Sequence, residues 1–354
     1  MTTVAVYQEK DGTQITVDEP LTNNLDTKKI AADLGIPAYV NIEDGIIKRA
    51  IAILWAAWHP HSALRESLRS EVGRDTIPLL LFGGGAVKML CPSANHAGSP
   101  FHRRIGDLDF VVPWKEGSKA VRLLNAMGGV AGGFYFFFTT KGDKTFNALR
   151  GGSRYRVRML EKIQDGKPFL RDLDIFTDEI ELRHTIKFKQ DFSLAEQNSY
   201  TVGPEKLLLS KLQVIVAAPR DKLPLLQSQE QLFRILDYQP FNGSELLVGM
   251  EGKDMLDVCS LLHDTAEGSL GAVRLDTGRI AEVLKKDSRF ALTCRLNLEN
   301  LTKRREWMLS KGLTEEQAAR VIKHARKILA TIPEQEKAWN KPWWNTDVET
   351  PLIS

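Results

Sequence analysis

Apolar and polar positions change their spacing several times along the 354-residue chain, and each change marks a different kind of element. Residues 1–40 are mostly polar, with short alternating runs at 4–7 and 13–17 on either side of Asp11-Gly12, the pattern of a hairpin. Helical spacing follows over 43–58 and 61–72, interrupted by Pro60. An apolar run over 77–82 stops at Gly83-Gly84-Gly85 and resumes as Ala86-Val87-Lys88-Met89-Leu90, which reads as strand, tight turn and helix. Residues 91–101, rich in Ser, Pro, Gly and His, read as a loop, and 115–127 as a helix ended by Gly128-Gly129.

A β-rich stretch comes next. Strands are expected at 134–140, 145–149, 153–160 and 168–176, separated by Lys141-Gly142-Asp143, Gly151-Gly152 and Gln164-Asp165-Gly166, with a last strand at 181–188. From Gly203 the spacing turns helical: 204–217, 228–236, 253–262, 277–286, 296–310 and 314–330. Thr314 and Gln317 form a capping-box start for the last of these. A tail over 339–354 carries Trp339, Trp343 and Trp344 and is expected to be extended. The expectation is an α+β chain: a mixed sheet with helices, followed by a C-terminal helical domain. Borders fall at 1–75 (lead-in and helices), 76–200 (the sheet), 201–335 (helices) and 336–354 (the Trp-rich tail).

Composition narrows the class. With 43% apolar and 26% charged residues the chain has the make-up of a globular protein, so a disordered one is excluded. No apolar run approaches the ~20 residues of a membrane helix, and Met1-Thr2-Thr3-Val4 lacks the basic-then-apolar pattern of a signal peptide. Cys91, Cys259 and Cys294 are widely spaced and form no CxxC pair, so a reduced, cytoplasmic setting without a zinc site is expected. A net charge of +3 is too small to identify a nucleic-acid partner by itself.

Candidate chemistry centres on the glycine turn and on Gly106-Asp107-Leu108-Asp109-Phe110. In a strand, Asp107 and Asp109 share a face while Leu108 and Phe110 pack behind. Two neighbouring carboxylates repel unless a cation sits between them, and a hard divalent ion such as Mg²⁺ or Mn²⁺ suits them. Backbone N–H groups at Gly83, Gly84 and Gly85 could meet phosphate oxygens, with Lys88 one turn further on. Asp172 and Asp174 alternate with Leu173 and Ile175 in a later strand, which makes Asp174 a candidate third carboxylate. The plainer alternatives are a solvated strand face, or pairing of Asp107 and Asp109 with Arg103 and Arg104.

A glycine turn, Asp-x-Asp and a later strand Asp, in this order, resemble the nucleotidyltransferase superfamily typified by DNA polymerase β. Within it, Glu205-Lys206-Leu207-Leu208-Leu209-Ser210-Lys211-Leu212 resembles the Glu-Leu-Leu-x-x-Lys-Leu helix of AbiEii-type nucleotidyltransferases. Lys253-Asp254-Met255-Leu256-Asp257-Val258 is similar to that family's Arg-Asp-x-x-Asp-Leu motif, with lysine for arginine. Arg103-Arg104-Ile105-Gly106-Asp107-Leu108-Asp109-Phe110 is similar to its Arg-x-Ser/Thr-x-Asp-Leu-Asp-Phe signature, with Ile105 in place of Ser/Thr. The likeness spans roughly 80–265.

The resemblance implies transfer of a nucleotide from an NTP to an acceptor hydroxyl. Mg²⁺ would be held by Asp107, Asp109 and Asp174, and phosphates by the glycine turn, Lys88, Arg104 and Lys211. Asp254 and Asp257 would orient Lys211 or assist catalysis; a salt bridge among these three is the plainer reading. Alternating Arg154, Arg156 and Arg158 offer a basic strand face for an RNA (tRNA) acceptor; an ordinary hairpin face is the alternative. The family also implies a role as the toxin of a toxin–antitoxin or phage-defence system, with a cognate antitoxin as partner. The competing functions are a transferase acting on a protein or small-molecule hydroxyl, and a non-catalytic binding module on the same fold.

Overall fold

A computed structural model of the chain describes residues 3–8, 12, 14–18, 26–129, 137–164, 167–189, 191–192, 200–213, 216–219, 246–249, 252–265 and 273–333. The expected helix at 228–236 and the Trp-rich tail lie outside the described residues. In chain order the elements are β1 (Thr3–Gln8), β2 (Gln14–Asp18), α1 (Thr27–Asp33), α2 (Gly45–Trp58), α3 (Ala63–Ser67), α4 (Arg69–Val72), β3 (Leu80–Phe82), α5 (Gly83–Leu90) and α6 (Pro92–Asn95). Then come β4 (Leu108–Val112), a 3₁₀ turn at Trp114–Glu116, α7 (Gly117–Gly129), β5 (Phe137–Phe138), α8 (Lys141–Leu149), β6 (Arg154–Gln164), β7 (Lys167–Thr177), β8 (Glu179–Glu181) and β9 (Thr185–Lys187). The rest are α9 (Pro204–Leu212), β10 (Val216–Pro219), β11 (Leu246–Gly249), α10 (Gly252–His263), α11 (Thr277–Lys285), α12 (Ser288–Thr302), α13 (Arg305–Ser310) and α14 (Glu315–Leu329).

The chain divides into two compact units, both discontinuous in sequence. The first holds residues 1–89, 104–179 and 187–202, the second 90–103, 180–186 and 203–354. The sequence reading placed its borders at 75/76, 200/201 and 335/336 instead.

Unit 1 is built on a five-stranded mixed sheet in the order β3-β4-β7-β6-β5. The β4/β7 pair is parallel and the other three pairs are antiparallel. Alternation sorts its two faces: Leu108, Phe110 and Val112 of β4, Val157 and Met159 of β6, and Leu173 and Ile175 of β7 are all buried on one side. Helix α7 packs against β5, β6 and β7, and α2 against β3 and α7. Helix α2 starts where Asp44 accepts from the Ile46 amide at 3.0 Å, and it buries Ile47, Ile51, Ile53 and Leu54 completely. Residues 200–202 continue the sheet beside β3: Leu81 N–H donates to Tyr200 O at 2.8 Å and Val202 N–H to Leu81 O at 2.9 Å.

Unit 2 is mainly helical. Helix α9 packs against α10, α11 and α12, and α14 against α10, α12 and α13. Its core draws on Leu207, Leu208, Leu209 and Leu212, on Val258, Leu261 and Leu262, and on Phe290, Leu298, Val321 and Ile328. The capping box of Thr314 and Gln317 opens α14 as expected, with Gln317 N–H donating to Thr314 Oγ1 at 3.2 Å.

Several expected elements are corrected, among them the strand at 181–188, which is the two short strands β8 and β9, and the helix at 61–72, which is α3 and α4. Residues 145–149 are helix, not strand, and Lys141-Gly142-Asp143 is the first turn of α8, not a hairpin turn. The reason is local: Thr140 and Asp143 form a reciprocal capping box, which satisfies the first free amides of a helix. Helix 204–217 ends at Leu212, and 216–219 is a strand paired with β11. The single helix at 296–310 is two, because the chain turns at Lys303 and Arg304. The loop at 91–101 contains α6, capped by Asp264, whose carboxylate accepts from Ser93 N–H at 2.9 Å.

Candidate active site

The glycine turn and the Asp-x-Asp strand meet within unit 1. Gly83 follows β3 at φ +64°, a conformation that β-carbon-bearing residues rarely adopt, and a β-carbon there would collide with the Asp109 carboxylate. Position 83 thus requires glycine for two independent reasons. The contact sets the Asp109 carboxylate at the first residue of α5, where the helix dipole favours a negative charge. Gly84 and Gly85 continue α5 and, like Gly83, are buried.

Sheet register puts the second carboxylate beside the first. Phe82 pairs with Asp109, Asp109 with Asp174, and Asp174 with Arg156, so one row crosses β3, β4, β7 and β6. Leu108 and Phe110 are fully buried behind the row, while Asp109 is half-buried and Asp107, one residue before β4, is exposed.

Asp174 is already engaged. Arg154 Nη2 donates to its Oδ2 at 2.6 Å, and Arg156 Nε to its Oδ1 at 3.0 Å. Arg158 pairs with Asp172 and, through Nε at 3.0 Å, with buried Asp143 of α8. Burial works against the Arg158 charge, but Asp143 and Asp172 outweigh it and raise its pKa. The Phe146 ring lies beneath the guanidiniums, 4.5 Å from Arg156, 5.2 Å from Arg150 and 5.5 Å from Arg154. The three arginines do share a strand face, but each is bound to aspartate on its own sheet or on α8, so the face is far less cationic than the sequence suggests.

Among the described residues no group of three or more His, Cys, Asp or Glu is disposed to hold a metal ion. The donor set nonetheless fits a hard cation in part. Asp109 offers oxygens at the glycine turn, whereas Asp107 lies outside β4, so the expected shared strand face of the pair is not formed by the strand itself. Mg²⁺ commonly takes one or two carboxylates together with substrate phosphates and water. Asp174, expected as a third ligand, is instead charge-balanced by Arg154 and Arg156.

Lys88 does not reach toward a phosphate. It is buried, with its ammonium 2.6 Å from Asp44, the cap of α2. Burial favours the neutral form of Asp44, yet the bond to Lys88 holds its carboxyl below the usual range. Arg104 is exposed.

Lys211, Asp254 and Asp257 come together in unit 2. Lys211 Nζ lies 2.8 Å from Asp254 and 3.0 Å from Asp257, and Arg103 makes two bonds of 2.6 Å to Asp257. Two cations thus balance two buried carboxylates. Desolvation alone would lower the Lys211 pKa and raise that of Asp257; the mutual attraction wins, so the first rises and the second falls. This is the salt bridge named as the plainer reading.

Sequence reasoning missed Asp143, Phe146 and Asn147, all on α8, because it read that segment as strand. Thr140 three residues before Asp143 was the available signal. Asn147 does a strand's work from a helix: its Oδ1 accepts from Arg156 N–H at 2.6 Å and its Nδ2 donates to Arg156 O at 3.1 Å. No protein-family model, curated protein sequence or solved structure matches this chain.

Proposed function

We propose that unit 1 carries a nucleotidyl-transfer site and that the chain moves a nucleoside monophosphate from an NTP to an acceptor hydroxyl. One observation carries the reading: Asp109 is in register with Asp174 on a parallel neighbour strand while its carboxylate lies against Gly83 of the glycine turn. Three pieces that were separate in sequence become one polar row backed by a buried apolar face.

In this reading Asp107 and Asp109 hold the divalent cation, which offsets phosphate charge. Amides at the start of α5 face the phosphates, and the chain's task is positioning and charge neutralisation. The acceptor oxygen forms a bond to the α-phosphorus as the bond to the β-phosphate oxygen breaks and pyrophosphate leaves. Asp174 is charge-balanced by Arg154 and Arg156 and takes no proton in this reading; the hydroxyl proton passes to water. Lys211 carries no step here, because its ammonium is committed to Asp254 and Asp257. RNA as acceptor, and a toxin's role with a cognate antitoxin, rest on the resemblance to AbiEii-type proteins.

The test is incubation with each labelled NTP, Mg²⁺ and total RNA or lysate. Label is expected in RNA and absent with EDTA. Asp107→Ala or Asp109→Ala should lower transfer by about a hundredfold or more with the near-ultraviolet circular dichroism unchanged. Label on protein or a small metabolite would retain the chemistry and replace the acceptor. Transfer at parental rate by both variants would overturn the site.

A further inference from the structure

A cleft of about 630 Å³ opens in unit 1 around Trp114, Lys115, Ser118, Gly152 and Tyr155, at the end of β4 remote from Asp107. On β6, Tyr155 points to the face opposite Arg154 and Arg156. The cleft is therefore separate from the carboxylate row.

Its walls are preformed. Trp114 is held at its backbone, where its N–H donates to Asp178 Oδ1 at 3.1 Å, yet its side chain leaves the residue 51% exposed. Its ring thus presents an open apolar and aromatic face with a polar N–H at one edge. Gly152 has φ +86°, and a β-carbon there would lie 3.2 Å from the Tyr155 hydroxyl and 3.3 Å from the Trp114 ring, filling the space between them. Gly117 is constrained likewise, since a β-carbon would strike the Tyr155 ring at 2.5 Å. Around this aromatic pair the Trp114 indole N–H, the Lys115 ammonium, and the Ser118 and Tyr155 hydroxyls have no hydrogen-bond partner among the described residues. A flat ring, a second aromatic, several unspent donors and one cation suit a planar, acceptor-rich ligand that bears negative charge. The volume lies in the ~300–1,000 Å³ range of small-molecule sites.

We propose that this cleft binds a nucleobase bearing a phosphate, the base stacked on Trp114 and the phosphate met by Lys115. The base belongs either to a free nucleotide or to single-stranded RNA; the chemistry recognised is the same.

The test titrates the full chain in EDTA, so that cation-dependent binding at Asp107 and Asp109 is silent. Probes are AMP, UMP, hexaadenylate, hexauridylate and, as a baseless control, ribose 5-phosphate, followed by saturation-transfer NMR. Binding of the nucleotides is expected, with ribose 5-phosphate at least about tenfold weaker. Trp114→Leu should weaken nucleotide binding about tenfold or more, and Lys115→Gln several-fold with a shallower salt dependence. Trp114 is exposed, so both variants should melt like the parent. A hexamer binding more than about tenfold tighter than its monomer assigns the site to RNA; equal affinities assign it to free nucleotides. The Asp107→Ala/Asp109→Ala double variant should bind unchanged, so failure of the transfer reading leaves this result intact. Equal binding of ribose 5-phosphate, no effect of Trp114→Leu, or binding of a proline-rich decapeptide in place of nucleotides would overturn the proposal.

Discussion

Single residues hold the sharpest constraints in this chain. Gly83 is one: its positive φ and the Asp109 carboxylate both oppose a side chain. Gly83→Ala should cost about 2 kcal/mol or more in chemical denaturation. The same substitution in an Asp109→Ala background should cost clearly less, because the carboxylate collision is gone; equal costs would refute the contact as the cause. Lys211 is another. On sequence alone, methionine would refill an apolar slot at small cost. The structure reverses that expectation, since Lys211→Met leaves Asp254 and Asp257 buried, with Arg103 remaining as a cation on Asp257. Breaking such a buried pair costs about 3–5 kcal/mol, and adding Asp254→Asn should recover part of it in the same urea titration. A neutral Lys211→Met would mean that water reaches the cluster freely.

Among elements, α8 shows how a side chain can replace a strand. Among the described residues β5 pairs with β6 at Met159 and Arg158, and none of them forms a strand along the outer edge of β6 around Arg156. Asn147 supplies both the acceptor and the donor that a neighbouring strand would offer. Asn147→Ala should therefore lower stability by about 1–3 kcal/mol, the cost of leaving partly buried backbone groups unpaired, and raise aggregation on heating by freeing the edge. Light scattering alongside a melting curve checks both; unchanged values would show that water replaces the amide without loss. The same helix supplies Asp143 to Arg158 and Phe146 to the arginine stack. Its capping box was legible in the sequence, whereas its Gly-containing first turn imitated a hairpin.

At the scale of the molecule, discontinuity decides what depends on what. Residues 180–186 join unit 2 through buried His184, whose N–H donates to Gln213 at 2.9 Å, whose ring meets Thr293 at 2.7 Å and stacks on Phe290 at 4.8 Å. Burial lowers its pKa from 6.5 to about 4, despite the opposing pull of Asp287. The folded pKa lies below the unfolded one, so this contribution is fully present above pH 6.5 and is lost as the pH falls toward 4. A shift of that size corresponds to about 3 kcal/mol. His184→Gln should flatten the pH dependence of the melting temperature in that window while retaining a bond to Thr293. A variant that loses stability with falling pH as steeply as the parent would place the effect elsewhere. No helix among the described residues is long and apolar enough to cross a membrane.

Local and periodic properties were readable from the sequence alone. The α+β class, the β6–β7 hairpin, the strand–glycine–helix at Gly83 and the cap at Thr314 follow from alternation, turn residues and capping chemistry, which act over a few neighbours. So did the grouping of Lys211, Asp254 and Asp257, though only through resemblance. Register and partnership were decided by the tertiary structure. Which carboxylate stands beside Asp109 depends on strands far apart in the chain, and that Arg154, Arg156 and Arg158 spend their charge on Asp143, Asp172 and Asp174 depends on the register of the β6–β7 hairpin and on where α8 docks. Burial decides the rest, since a charged side chain removed from water must find a partner, and no pattern along the chain names the partner for Lys88 or Arg103.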